Sequence, residues 1–276
     1  MNVKLSELLS NKINDILFEK DCVYLNGSTT LKIDFDIAID ELNIVANKGD
    51  INIIEINPNY KKINIEVKQN ASLKHCSILN STEENYCNNL YCNTLGTYNR
   101  FLIDLSTTSN KLESKIELNA EGSIANYKSS IVSSNNTKKL NVINLINNAR
   151  HTEGNILNYG IVFNDSTLDI TGIGDIKKGA SISEAHQKSV IVTFDEKSKG
   201  YARPFLYIAE DDVKASHDTS VGKIDEDILF YMTSRGIPSN VAKRYIALGY
   251  FKPIISELND EETQNQITEY LEGVIK

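Results

Sequence analysis

Several things are scarce in this sequence. No stretch approaches the roughly 20 consecutive apolar residues that a membrane-spanning helix needs. The first residues, Met1 to Glu19, lack the continuous apolar core of a signal peptide, because Lys4, Glu7, Lys12 and Asp15 interrupt their apolar positions. That places the expected compartment in the cytoplasm. Base is outnumbered by acid, 29 to 37, for a formal charge of −8, which argues against broad nucleic-acid binding through lysine and arginine. Only four cysteines occur, Cys22, Cys76, Cys87 and Cys92, and none follows Cys92. Without a secretory leader they read as thiols and not as a disulfide framework. The Cys87–Cys92 spacing does not suit a zinc knuckle, and no second pair completes one. There is no Gly-Lys-Ser/Thr phosphate loop, so any nucleotide hydrolysis must come from another chain.

Three regions separate by periodicity. Residues 1–20 carry apolar side chains at helical intervals and predict a short amphipathic helix. Residues 21–221 alternate with period two: Leu31, Ile33, Phe35, Ile37 and Ile39, then Ile51, Ile53 and Ile56, then Ile63, Ile65 and Val67. The beat returns as far as Phe205-Leu-Tyr-Ile. Short β-branched strands bounded by Asn, Gly, Ser and Lys, with no helix between them, predict a sandwich, a barrel or a solenoid. Asn135-Asn136 and Asn147-Asn148 suit tight corners through their tolerance of left-handed backbone. Two-residue Asn-Gly or Asp-Gly turns are few, so hairpins are poorly signalled and a coiled β-solenoid fits best. Residues 222–276 turn helical. Asp225-Glu-Asp opens a first helix, Gly236 and Pro238 separate it from a second, and a third begins near Asp260.

The segment Tyr207-Ile-Ala-Glu-Asp-Asp-Val-Lys-Ala-Ser-His217-Asp-Thr-Ser-Val-Gly, followed by Phe230-Tyr-Met-Thr-Ser-Arg-Gly236-Ile, resembles the C-terminal signature of the SufB/SufD proteins of iron–sulfur cluster assembly. Thr171-Gly-Ile-Gly, Lys178-Gly-Ala-Ser-Ile-Ser-Glu-Ala-His-Gln and Arg203-Pro-Phe-Leu resemble core rungs of the same family. The resemblance covers about the second half of the chain. It implies a right-handed parallel β-helix with a C-terminal helical domain that docks a SufC-type ABC ATPase. It also implies a second SufB/SufD-like subunit alongside, as homodimer or heterodimer, with a transient iron–sulfur cluster near their interface and a sulfur donor protein as a further partner. The family's longer helical N-terminal domain has little room in residues 1–20.

His217 matches the family's near-terminal histidine, and an imidazole can bind iron or accept a proton near neutral pH. Taken alone, a histidine at a strand end is an ordinary surface or core residue. Asp218 stands where SufB-like sequences carry an acid; a carboxylate suits iron, and an aspartate there equally suits a turn or helix lead. Ala215 departs from the family, since SufD-like proteins often carry cysteine at that position, and the family's C-terminal persulfide-accepting cysteine is missing too. His75 and Cys76 are adjacent and so should face opposite sides of a strand. His151 and His186 read as hydrogen-bonded rung residues. Phe230, Tyr231, Arg235 and Gly236 match the family's ATPase-docking corner, although a helix–helix turn explains Phe230 and Gly236 as packing. Two rival readings are a carbohydrate-active β-helix lyase or hydrolase and a purely structural SufD-like subunit without a metal site.

Overall fold

A computed structural model describes residues 2–9, 16–19, 21–82, 89–258 and 260–275. The alternating apolar beat winds into a parallel β-helix with two hydrogen-bonded walls. The first wall stacks β3 (Cys22–Leu25), the leading half of β5 (Ile39–Ile56) and of β6 (Tyr60–Leu79), β7 (Asn89–Thr94), β9 (Asn110–Leu118), β11 (Lys138–Asn147), β13 (Thr167–Ile176) and β15 (Lys199–Ile208). The second stacks β1 (Asn2–Lys4), β4 (Thr29–Asp34), the trailing halves of β5 and β6, β8 (Thr97–Asp104), β10 (Ile124–Ser133), β12 (Glu153–Val162), β14 (Ser183–Thr193) and β16 (Val213–Lys223). Among the described residues only β2 (Ile16–Glu19) and β3 pair antiparallel, as one hairpin.

One inward column shows how the turns stack: Ile51, Leu73, Tyr98, Ala125, Gly154, Ala185 and Ala215 are in direct register. Alternate side chains of each strand fill the lumen, so Leu73, Tyr98, Ala125 and their neighbours are buried. Corners use left-handed residues, as expected at Asn135 (φ 58°) and Asn136 (φ 61°). At the next bend along the chain the left-handed residue is His151 (φ 54°) and not Asn147 or Asn148. Asn147 instead turns inward and donates to Thr152 Oγ1 at 2.9 Å, while Asn148 donates to Asn119 at 2.7 Å.

The N-terminal helix is a single turn, α1 (Leu5–Leu8), set between strands. Leu5, Leu8 and Ile16 plug that end of the lumen. The helices α2 (Glu226–Ser234), α3 (Ser239–Ile255) and α4 (Glu261–Val274) follow β16. Asp225 and Asp260 cap α2 and α4 by accepting from the first-turn N–H groups. Helices α3 and α4 fold back over the second wall, where Phe251, Ile254 and Leu258 pack with Ile54, Phe101 and Val132 in one core. Ion pairs fasten the margin: Lys128 to Glu257 at 2.6 Å, and Lys32 to Asp260 at 2.9 Å and Glu262 at 2.7 Å.

Candidate functional site

The two ends of the β-helix differ. The N-terminal end is plugged, whereas no further turn covers β15 and β16. The burial that runs through earlier turns stops there, leaving Tyr201, Phe205, Tyr207, Ile208 and Val221 exposed.

His217 lies on this open turn. Its register column runs through Leu31, Ile53, His75, Arg100, Tyr127, Ile156 and Gln187, all of them pointing into the lumen. The imidazole therefore stands over the lumen's end, next to Gln187, and is exposed because nothing stacks on it. Asp218, as the next strand residue, faces outward; its carboxylate is 67% exposed and 3.5 Å from Lys188. Within one chain the two side chains do not converge. No group of three or more His, Cys, Asp and Glu side chains suited to a metal ion occurs among the described residues. Ala215, two residues before His217, shares its face and leaves space beside it.

The remaining histidines have structural partners. His186 meets Ser216 Oγ at 2.7 Å and Glu184 at 3.4 Å. His151 occupies an exposed corner, 4.0 Å from Glu121. His75 and Cys76 do face opposite ways, His75 into the lumen and Cys76 into the seam beneath Leu258. Cys92 sits in a lumenal column between Ile65 and Ile116. Burial pushes the Cys76 thiol up to about 12 and the Cys92 thiol well above its ordinary value, so neither is a ready nucleophile. Cys22 is half-buried, and Cys87 lies outside the described residues.

A polar cluster inside the lumen escaped the sequence reading. Glu55 Oε2 accepts from Tyr60 at 2.8 Å and Ser77 at 2.7 Å, and lies 2.9 Å from His75 Nε2. His75 Nδ1 meets the Tyr98 hydroxyl at 3.0 Å, and Arg100 donates to Ser77 Oγ at 2.7 Å. Every member is buried. Burial alone would raise the Glu55 carboxyl, but His75, Arg100 and Ser77 outweigh it and hold the carboxyl below its ordinary value. Burial, reinforced by Arg100, pushes the His75 imidazole down, so it is neutral near pH 7. The signal was an acid on the inward beat, Ile51, Ile53, then Glu55.

Helix α2 projects Ile228, Phe230 and Tyr231 into solvent, while Leu229 packs against the core. Phe230 is 72% exposed and Tyr231 56%, so the packing explanation for Phe230 is not what the structure shows. The Arg235 guanidinium lies over the Tyr231 ring at 4.7 Å, and Gly236 ends the helix at φ 86°.

The family described as "SUF system FeS cluster assembly, SufBD core domain" matches residues 51–250, from the second turn of the β-helix into α3. The chain belongs to the SufBD core family. Similar proteins agree with this. The iron–sulfur cluster assembly protein SufD of Bacillus subtilis is 34% identical over 164 residues, 59% of this chain and 38% of that protein. The SufBD family protein Rv1461 of Mycobacterium tuberculosis is 30% identical over 130 residues, 46% of this chain and 15% of that one. SufBD family protein SH2035 of Staphylococcus haemolyticus is 26% identical over 114 residues, covering 41% and 24% of the two chains. The matched stretches thus span 38% or less of these relatives' own lengths. Among the described residues no helix is long and apolar enough to cross a membrane.

Proposed function

We propose that this SufBD chain is a non-catalytic scaffold subunit of a cytoplasmic iron–sulfur cluster assembly complex, with the nascent cluster as its cargo. The observation that carries this reading is the unfinished last turn. A monomer has no need of an uncovered turn with exposed aromatics, whereas a second SufB/SufD-like subunit set against β15 and β16 would cover it. His217 would then stand at the junction of two subunits, where ligands absent from one chain can be completed by the other. Asp218 would serve there only in place of its contact with Lys188. Sulfur would arrive from a donor protein or a partner's thiolate, given Ala215 and the buried Cys76 and Cys92.

The exposed corner of α2, with Phe230, Tyr231, Arg235 and Gly236, is the docking point for a SufC-type ABC ATPase in this reading. Nucleotide hydrolysis there supplies the motion that exposes or closes the paired β-helices. One observation favours the purely structural alternative: Asp218 points away from His217. The deciding experiment is co-purification with a SufC-type ATPase, followed by anaerobic iron and sulfide analysis. A complex carrying both elements supports the scaffold, a complex carrying neither supports the structural subunit, and no complex at all removes the ATPase from the reading.

A further inference from the structure

The outer face of the first wall changes character along the β-helix. On the early turns its outward side chains are charged and closed by ion pairs, such as Lys62 to Glu41 at 3.2 Å and Lys115 to Glu117 at 2.6 Å. On the last three turns it becomes apolar. Leu140 and Val142 on β11 and Ile173 on β13 are half-buried, and they lead to Tyr201, Phe205 and Tyr207 on β15, all exposed. These side chains point away from the lumen, which the alternate residues Leu168, Ile170 and Ile176 of β13 fill. On the second wall the outward residues Ile54, Phe101 and Val132 lie under α3 and α4. The first wall has no such cover. A subunit set against the end of the β-helix covers Ile208 and Val221, which continue the inward columns of Ile176 and Ile191, but the row on β15 faces sideways.

Charges inside this patch are already matched. Arg203 pairs with Asp169 at 3.0 Å and lies over the Tyr201 ring at 5.1 Å, while Asp175 pairs with Lys177 at 2.6 Å. Phe205 and Tyr207 stack with centroids 6.4 Å apart and planes 9° from parallel, so the aromatic row is preformed. Charges at its two ends are open. Among the described residues neither Lys199, before the row, nor Asp211 and Asp212, after it, has an ion pair. From Tyr201 to Tyr207 the row is about 20 Å long, and three strands about 4.8 Å apart make the patch about 10 Å wide. That is the footprint of one α-helix of about 14 residues. The resulting area of about 200 Å² falls far short of the roughly 800 Å² per partner of a stable dimer, which argues against a second copy as occupant.

We propose that this face seats an amphipathic helix of a transiently bound partner protein, lying along β15. Its apolar stripe, at helical spacing i, i+3, i+4 and i+7, packs on Tyr201, Phe205 and Tyr207. Basic residues at one end meet Asp211 and Asp212, and acidic residues at the other meet Lys199. The fold already covers an apolar outer face in this manner, with the 17-residue α3 and the 14-residue α4 on the second wall. The rings supply the contact area and the end charges set the helix's direction. The seat is separate from the α2 corner and from the turn that carries His217, so it adds a third surface to the scaffold.

Fluorescence anisotropy with synthetic peptides tests this on the full chain. The probe is a fluorescein-labelled helical peptide with a leucine stripe, lysines at one end and glutamates at the other. A peptide of the same composition without the stripe is the control. The wild type should bind the striped peptide and not the control. Phe205→Ser/Tyr207→Ser should bind at least tenfold more weakly, whereas Ile228→Ser on α2 should bind as the wild type does. Circular dichroism checks that the variants are folded. A striped peptide with glutamates at both ends should bind the wild type roughly tenfold more weakly and regain affinity for Asp211→Lys/Asp212→Lys, a change confined to an exposed corner. Absence of binding, equal binding of the control, or equal binding by Phe205→Ser/Tyr207→Ser overturns the seat. Loss in Ile228→Ser places the peptide on α2 and overturns it too. No recovery in the charge exchange overturns the assigned ends. A wild-type dimer in sedimentation velocity that is lost in Phe205→Ser/Tyr207→Ser puts a second copy on this face and overturns the helix. None of these results depends on cluster content, so the scaffold reading stands or falls separately.

Discussion

Replacing Glu55 by glutamine tests the lumenal cluster with almost no change of shape. The carboxylate and the Arg100 guanidinium are both buried, and Ser77 links them by accepting from Arg100 and donating to Glu55. Glutamine fills the same volume but removes the negative charge. The guanidinium then loses the buried negative charge that Ser77 links to it, a change on the order of the 3–5 kcal/mol that removing one partner of a buried pair costs. That is a large share of the roughly 5–15 kcal/mol that keeps a domain folded. By contrast, neutralising both groups in Glu55→Gln/Arg100→Met should cost less than the single change, because no charge is stranded. Urea unfolding followed by circular dichroism reads both. The reasoning fails if Glu55→Gln shifts stability by less than about 1 kcal/mol, or if the double variant is the less stable of the two.

The same cluster sets a pH dependence. The folded chain holds the His75 imidazole below its ordinary value of 6.5, so below that pH the unfolded chain binds a proton that the folded chain refuses. Glu55, also held low, contributes in the same direction at more acid pH. Stability should therefore fall as pH drops from 7 to 5, and His75→Gln should flatten the upper part of that decline in urea midpoints. In native protein, Ellman's reagent should leave Cys76 and Cys92 untouched and label both only on unfolding; rapid native labelling of Cys76 would refute the tight seam beneath Leu258. Arg235→Glu should weaken ATPase binding by about 2 kcal/mol, roughly thirtyfold, while changing stability by less than about 0.5 kcal/mol. Unchanged calorimetric affinity would remove Arg235 from that interface.

The strand content and the helical C-terminus were legible because alternation and end-caps are local signals. Asp225 and Asp260 cap the helices they were expected to open. The repeat was not legible, for a geometric reason. The step between stacked residues varies along the chain, 22 residues from Ile51 to Leu73, 25 to Tyr98, 27 to Ala125, 29 to Gly154, 31 to Ala185 and 30 to Ala215. Corner loops vary in length while the strands stay in register, so no fixed period survives. Residues 1–20 carried a helical beat, yet Leu5, Leu8 and Ile16 plug the lumen, and among the described residues the helix is the single turn Leu5–Leu8. On α2 the packing alternative for Phe230 is not met, because helical spacing does not say whether a partner is present. Phe230 and Tyr231 have the pattern of a packed face and lie in solvent. Family resemblance singled out His217 and Asp218 as candidates, and the strand geometry shows that they face opposite ways.

The central claim is that His217 serves the cargo and not the fold. Its most direct test is His217→Ala in the complex purified with the ATPase, reconstituted anaerobically beside the wild type and assayed for iron, acid-labile sulfide and melting temperature. Iron and sulfide should fall sharply while the complex and its melting temperature stay intact. Normal cluster content in the variant, or a loss of cluster that comes only with dissociation or a lowered melting temperature, would contradict it.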